Sequence, residues 1–494
     1  MNDIADDRRV IVVGSGLAGA AAAEALLAQG IPVTMLESAD RSRPGLHLRL
    51  SGEDFFVPTL KRHDMVPCIS RDDSSAVWQT TLALGGLSNY WTLQVVRFQA
   101  DDFTEGERVD ERYVWPLRYD ELVPYYERIE HILDVLGSDK TVAGLPACRV
   151  TEPRSLPEDW GAVAQGAERG GQALVHRPVV RGRRFAASES GTAYNSYVHL
   201  IRRFAKRAPF RLVTGAHVSH LEWDGRRVTQ AVYFDRGTAT LRRIAGRAFV
   251  LAAGPIGSPR ILLNSTSSDF PQGLGNAEGV LGAYFHDHPK AGGSIRLGKP
   301  LSRLRIGAYL ARPPHAASPP LMAAACTIQS VKLARGLLRR SLALRKTTGI
   351  NFWQFGTMIP KEQHRITLST TERDEFGVPL PEIGVRFDED ARRALATARE
   401  RMLQYFDDAG CAPTMTSFAQ EPPGAAVHYG GAARMHASPR YGMLDARHRL
   451  HAAPNVLVVD ASCWPTTPEK NPTLTIMAMA SRAGELLAGD LRAS

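Results

Sequence analysis

The chain has 494 residues, 44% of them apolar and 22% charged, a globular composition that excludes intrinsic disorder and is long enough to bury a large core. No run of 18 or more apolar residues occurs, so no segment has the pattern of a membrane-spanning helix. The net charge of +9 is unevenly placed: His288 to Pro360 holds twelve Lys and Arg and no Asp or Glu, which leaves the remainder slightly acidic.

Length alone predicts two packed domains. Met1 to Arg9 is polar and acidic and runs directly into the apolar stretch Val10 to Val13. A secretory signal would need a basic start, an apolar core and a cleavage site, so a cytoplasmic protein is expected. The five cysteines (Cys68, Cys148, Cys326, Cys411, Cys463) are scattered and odd in number. They fit a reducing compartment and predict neither a disulfide framework nor a metal site.

In chain order, Val10 to Val13 reads as a buried parallel strand. Ala18 to Gln29 is alanine-rich and helix-forming, and Gly30 stops it. Val33 to Leu36 forms the next strand, ending at Glu37. This βαβ start predicts a parallel sheet with helices on its faces. A strand-then-glycine-turn pattern recurs at Phe249 to Gly257, followed by a helix from Ser258 to Asn264. It recurs again at Asn455 to Pro465, followed by an apolar helical stretch from Pro472 to Leu487. Between them, His364 to Leu368 and Glu382 to Phe387 read as strands, and Glu389 to Ala409 as an amphipathic helix, which together suit an antiparallel sheet beside the site.

The expected fold class is therefore α/β. A discontinuous Rossmann-like domain with a mostly parallel sheet would comprise 1–97, 195–285 and 425–494. A second α+β domain on an antiparallel sheet would comprise 98–194 and 286–424.

Gly14, Gly16 and Gly19 form Gly-x-Gly-x-x-Gly directly after a strand and at the start of a helix. The first glycine permits the tight turn, the second lets a pyrophosphate approach the backbone, and the third lets helix and strand pack closely. The helix N-terminus offers unpaired N–H groups to phosphate, and Glu37 stands where it could accept hydrogen bonds from a ribose diol. The alternative is a glycine turn that binds nothing; if the motif does bind, it does not separate FAD from NAD.

Four further motifs resemble those of the glucose–methanol–choline (GMC) oxidoreductases, an FAD-dependent family, over Arg9 to the C-terminus. The most specific are HYGGAARM at His428 to Met435 and VLVVDASCWPTTPEKNPTLTIMAMASRAGE at Val456 to Glu485. GPIGSPRILLNS at Gly254 to Ser265 resembles the second signature, with Thr266-Ser267 where that signature closes in Ser-Gly. LGGLSNYW at Leu84 to Trp91 resembles the glycine loop against the flavin. YDELVPYYERIEHIL and the Asp-His-Pro at Asp287 to Pro289 also look like family elements.

The resemblance implies His428 as catalytic base and Asn471 as the partner that holds the alcohol oxygen, with hydride passing to flavin N5. A neutral imidazole can take the hydroxyl proton, and an amide can donate to the oxygen without competing for it. It implies cofactor contacts at Gly14, Gly16, Leu17, Gly19, Glu37, Gly85, Gly86, Ser88, Asn89, Val218, Ala253, Asp460 and Pro472. Members with covalent flavin carry histidine where this chain has Tyr90, which implies non-covalent FAD. The family usually has Thr and Gly where this chain has Ala432 and His436; His436, His448 and His451 read as structural. Any one histidine, or an asparagine at a helix start, is otherwise more often structural than catalytic.

The substrate expected is a small-molecule primary or secondary alcohol, such as a sugar or secondary metabolite; the electron acceptor is left open. Two alternatives stand beside oxidation: a lyase that keeps FAD structurally, and a flavoprotein scaffold for an anionic partner. The second draws on Val331 to Lys346, an apolar stretch with six positive charges. It could meet an acidic partner, a carrier or a membrane surface, or simply be a solvated face. No nucleic-acid motif is present.

Overall fold

The computed structural model describes residues 8–493, apart from 40–45, 51–52, 58–65, 181–193, 207–208, 305, 314–321 and 332–344. Most of the basic segment, including Lys332, Arg335, Arg339 and Arg340, therefore lies outside the described residues.

The short β-branched runs form a five-stranded parallel sheet in the order Phe210–Thr214, Val33–Glu37, Val10–Val13, Ala248–Leu251, Val456–Val458. Val10 pairs with both Val33 and Ala248, and Val12 with Met35 and Val250, so Val10–Val13 is central and flanked on both sides. All four of its residues are buried, as a strand covered on both faces requires. Helix Leu17–Ala28 is apolar nearly all round, with Ala20 to Ala23 and Leu26 at most 2% exposed. A helix of that kind must be covered on every side. It is enclosed by the sheet and by helix Thr473–Ala493, whose Gly484 approaches so closely that a Cβ there would lie 2.7 Å from the Ala22 carbonyl.

The second large sheet is antiparallel, in the order Thr414–Gln420, Lys290–Ser302, Lys346–Gly356, Ala324–Ser330, Ala308–Leu310, Leu174–His176. Helix Glu389–Asp408, capped by the Asp388 carboxylate on the Ala391 N–H, packs Leu395, Met402 and Phe406 into the core shared with Ile350 and Phe352.

Here the sequence expectation needs correction. The strands expected at His364 to Leu368 and Glu382 to Phe387 lie at Arg365–Arg373 and Pro379–Gly384. They pair with each other, and Pro379–Gly384 also pairs with Ile69–Ser70, in a separate three-stranded sheet. The large sheet uses Lys290–Ser302 instead, whose glycines disguise it as loop. A Cβ at Gly293 would meet the Ser417 carbonyl at 2.3 Å, and one at Gly292 the Trp353 ring at 3.0 Å. Glycine in a central strand marks close approach rather than a turn. The helix expected to start at Ser258 begins at Gly254.

Candidate active site

A cavity of about 560 Å³ lies at the carboxyl ends of the parallel strands, where an open α/β sheet offers its crevice. Every strand of that sheet feeds it: Gly14 to Ala18 follow the first, Glu37 ends the second, Ala216 to Ser219 follow the third. Ala252 to Gly254 and Asp460 follow the last two.

The three glycines differ in surroundings. Gly14 has φ +102°, and a Cβ there would strike the Ala252 carbonyl at 2.5 Å; one at Gly19 would lie 2.1 Å from the Gly14 carbonyl. At Gly16 a Cβ would meet nothing within 4 Å. So Gly14 and Gly19 serve the turn and its packing, while Gly16 leaves open space at the cavity, which Gly14 and Leu17 also line. No side chain caps the helix that starts here, which leaves its first N–H groups for a ligand. The Glu37 carboxylate, 6% exposed, accepts from the Ser15 N–H at 2.9 Å and the Ala39 N–H at 2.8 Å. Burial raises its pKa against those hydrogen bonds.

The Gly85–Tyr90 loop turns on two glycines of positive φ, +89° and +55°. Gly86, Ser88 and Tyr90 line the cavity; Gly85 and Asn89 do not. Asn89 spends its amide internally, donating to Leu84 and Gly86 carbonyls and accepting from Asn195 at 2.6 Å. Gly85 lies against that same Asn195. Both shape the loop rather than face the cavity. The Asp460 carboxylate accepts from Gly254 N–H (3.0 Å), Ser258 hydroxyl (2.5 Å) and both Ser462 donors, tying the end of strand Val456–Val458 to the start of helix Gly254–Asn264. Val218, Ala253 and Pro472 also line the cavity.

In the same cavity the structure brings His428 and Asn471 together, although 43 positions separate them: His428 Nε2 lies 3.2 Å from Asn471 Nδ2. Asn471 Oδ1 accepts from Gln94 Nε2 at 2.6 Å, and the Thr327 hydroxyl donates to Gln94 Oε1 at 3.0 Å. Asn471 lies two residues before the start of helix Thr473–Ala493. The two residues before it are locked in a buried ion network: Lys470 Nζ sits 2.9 Å from Asp102 and 3.0 Å from Glu469, and Arg312 bridges Glu469 and Glu105. All five side chains are at most 1% exposed, so removing one leaves its partners charged in the core.

His428 Nδ1 lies 3.0 Å from His288 Nδ1, and the Phe355 ring centroid is 4.9 Å from the imidazole. Burial, with the nearby Lys290 charge, pushes the His428 pKa down to about 3, so the ring is neutral across the physiological range. Sequence reasoning missed Gln94, Lys290 and Phe355, which all line the cavity, and gave Asp287-His288 no role. Only the Asp-His-Pro motif carried a signal for any of them. Ala432 and His436 do not line the cavity; His436 bonds the Glu111 carbonyl at 3.0 Å. Among the described residues no cluster of His, Cys, Asp and Glu could hold a metal ion.

The GMC oxidoreductase models match residues 9–290 and 360–480. The 6'''-hydroxyparomomycin C oxidase of Streptomyces lividus is 29% identical, over 98% of this chain and 92% of that one. The 2-methyl-1,2-propanediol dehydrogenase of Mycolicibacterium austroafricanum is 24% identical, over 99% and 96%. The crystal structure of a pyridoxine 4-oxidase from Mesorbium loti shares the fold, with a TM-score of 0.62 at 18% identity over 98% and 99% of the two chains. With most of its length matched by the family models and its crevice built on the glycine turn, this chain belongs to the GMC oxidoreductases, enzymes that oxidise CH–OH groups and use FAD.

Proposed function

We propose that the protein oxidises a small-molecule primary or secondary alcohol, with His428 as the proton acceptor, Asn471 as the oxygen-binding partner and FAD held without a covalent bond. The observation that carries this is the 3.2 Å approach of His428 Nε2 to Asn471 Nδ2 in a cavity that the glycine turn also lines.

The residues present fit the cofactor. The open space at Gly16 and the uncapped helix start would take the diphosphate, Glu37 the ribose diol, and Val218 the edge of the adenine. Gly86, Ser88, Asp460 and the start of helix Thr473–Ala493 would lie along the flavin half. Tyr90 stands where covalent members of the family carry histidine, and a phenol there supports a dissociable flavin. Denaturation in acid should then release all yellow colour from the precipitate.

Bound FAD supplies the hydride acceptor. The protein's own part is to place and deprotonate the alcohol. An oxygen can sit about 2.8 Å from both His428 Nε2 and Asn471 Nδ2. There the amide donates to it while the neutral imidazole takes its proton, as the carbinol C–H bond gives up a hydride and the carbonyl forms. Gln94 holds Asn471 Oδ1, so the amide N–H₂ stays turned to the substrate. The cavity walls include the aromatic side chains of Trp91, Phe355 and Tyr429.

The test is an anaerobic screen of primary alcohols, diols including 2-methyl-1,2-propanediol, and sugars for flavin bleaching. His428→Ala should stay yellow and reduce about 10²- to 10⁴-fold more slowly, the usual scale for a positioned base. An unchanged reduction rate would refute the assignment.

A further inference from the structure

We infer that His288 is the positioning residue of the active-site base: it accepts a hydrogen bond from His428 Nδ1–H and thereby leaves the His428 Nε2 lone pair facing the substrate. The inference rests on His428 being the base and goes further, because it assigns the proton on each ring.

The assignment follows from a chain of hydrogen bonds whose polarity is set link by link. Gln94 donates through Nε2 to Asn471 Oδ1 at 2.6 Å, with its Oε1 on the Thr327 hydroxyl at 3.0 Å. Asn471 then presents its own N–H₂ to His428 Nε2 at 3.2 Å. A donor facing that nitrogen requires a lone pair on it, so a neutral His428 carries its proton on Nδ1. Nδ1 lies 3.0 Å from His288 Nδ1, which must therefore be the acceptor, and the neutral His288 ring must carry its proton on Nε2. The Pro468 carbonyl favours the protonated form of the His288 ring, although Nε2 makes no formal hydrogen bond. Burial depresses both pKa values, to about 3 for His428 and well below the ordinary value for His288, so neither ring is charged at rest. The charged and titratable groups around the pair are Lys290 beside His428, and His286 and Asp287 beside His288.

The arrangement has the logic of a base and its orienting partner, with a neutral imidazole where hydrolytic triads place a carboxylate. A neutral acceptor holds the ring and its tautomer without raising the basicity as an anion would, which keeps the base unprotonated in acid. When His428 takes the substrate proton at Nε2, its Nδ1–H is already bonded to His288, and the Asn471 N–H passes from Nε2 to the substrate oxygen.

The adjacent Asp287 completes the clamp from the backbone side. Its carboxylate, 0% exposed, accepts the Gly424 N–H at 3.0 Å and the His428 N–H at 2.9 Å. Between those two anchors Val427 is held at φ +57°, a conformation that a β-branched residue adopts only when its surroundings impose it. Asp287 fixes where the His428 backbone lies, and His288 fixes what its ring presents. Both come from one dipeptide at the start of strand Lys290–Ser302.

The test uses the holoenzyme with ¹⁵N-labelled histidine. Long-range ¹H–¹⁵N spectra, with His428 and His288 assigned by loss of their signals in single variants, should show His428 protonated at Nδ1 and bare at Nε2, and His288 the reverse. The opposite tautomers would overturn the inference. In parallel, His288→Leu and His288→Asn are compared by anaerobic bleaching with the alcohol that reduces the wild type fastest. His288→Leu should slow reduction about 10- to 100-fold, the scale for loss of an orienting partner, with half-saturation moved by less than about twofold. His288→Asn should restore most of the rate, because its Oδ1 can accept the same N–H. A Leu variant as fast as wild type, or an Asn variant that keeps its flavin yet is as slow as Leu, would overturn it. If His428→Ala itself left reduction unchanged, the reading beneath would fail instead. Should the Leu variant lose its flavin, the wild-type tautomers still decide.

Discussion

Gly16→Ala and Gly19→Ala separate a glycine that serves a ligand from one that serves the fold. At Gly19 the new methyl would stand 2.1 Å from the Gly14 carbonyl, with Ala252 Cβ at 3.4 Å behind it. The carbonyl is backbone, held beside a strand whose residues are at most 5% exposed, so it cannot swing aside. Overpacking of this kind costs about 1–3 kcal/mol, and the roughly 0.8–1 kcal/mol that alanine gains in a helix offsets only part of it. At Gly16 nothing lies within 4 Å and φ is −62°, which alanine adopts freely. Loss of a favoured N-cap and gain from a stiffer unfolded chain, each under about 1 kcal/mol, nearly cancel there. The Gly16 methyl instead projects into the space proposed for the diphosphate and should weaken FAD binding at least about tenfold, or 1.4 kcal/mol. Thermal melts with and without excess FAD read both effects, since a ligand that binds only the folded state raises the transition. Gly19→Ala should melt lower in both conditions. Gly16→Ala should match wild-type apoprotein but show a reduced rise with FAD. A full rise for Gly16→Ala, or wild-type stability for Gly19→Ala, would refute the reasoning.

Three further outcomes concern titratable and charged groups. Lys290 lowers the His428 pKa, so Lys290→Met should move the acid limb of flavin reduction towards neutral pH; an unmoved or lowered limb in anaerobic pH–rate profiles would contradict it. His448 is fully buried, bonded to the Val458 carbonyl, and its pKa is pushed down to about 4. Below about pH 6.5 the unfolded chain takes up a proton there that the folded chain refuses until about pH 4, so stability falls as pH drops through that window and is unaffected above it. His448→Gln should remove this contribution, and wild-type and variant urea-melt stabilities should diverge in slope by up to about 1.4 kcal/mol per pH unit; parallel curves would argue against it. Lys470→Met leaves Asp102 and Glu469 facing each other without their shared cation at 0% exposure. It should cost about 3–5 kcal/mol and slow flavin reduction through displacement of Asn471, whereas a stable variant of normal rate would show the network to be dispensable.

The glycine-turn side of the cavity is legible in the sequence alone. Gly14, Gly16, Gly19 and Glu37 belong to one local βαβ unit, where strand, turn and helix succeed one another within the reach of a short stretch of chain. Local propensity and spacing suffice to place such residues. Asn89 and Gly85 show the limit even there: the loop was recognisable, but which of its atoms face inward depends on Asn195, over a hundred positions away.

The side of the cavity that holds His428 and Asn471 is another matter. His428 and Asn471 could be named from motif resemblance, but nothing in the order of residues says that Gln94 would hold the Asn471 amide from 377 positions away, or that His288 would meet His428 across 140. The large antiparallel sheet was hidden as well, because Gly292 and Gly293 look like breakers until Trp353 and Ser417 are seen pressing on them. What the amino-acid order settles here is the short-range part: where strands begin, where a phosphate could approach, which side chains are chemically able to act. The direction in which each acts is decided by polar groups brought together from distant parts of the chain. A hydrogen bond inside a protein needs donor and acceptor about 3 Å apart, and only the packed tertiary structure sets that distance.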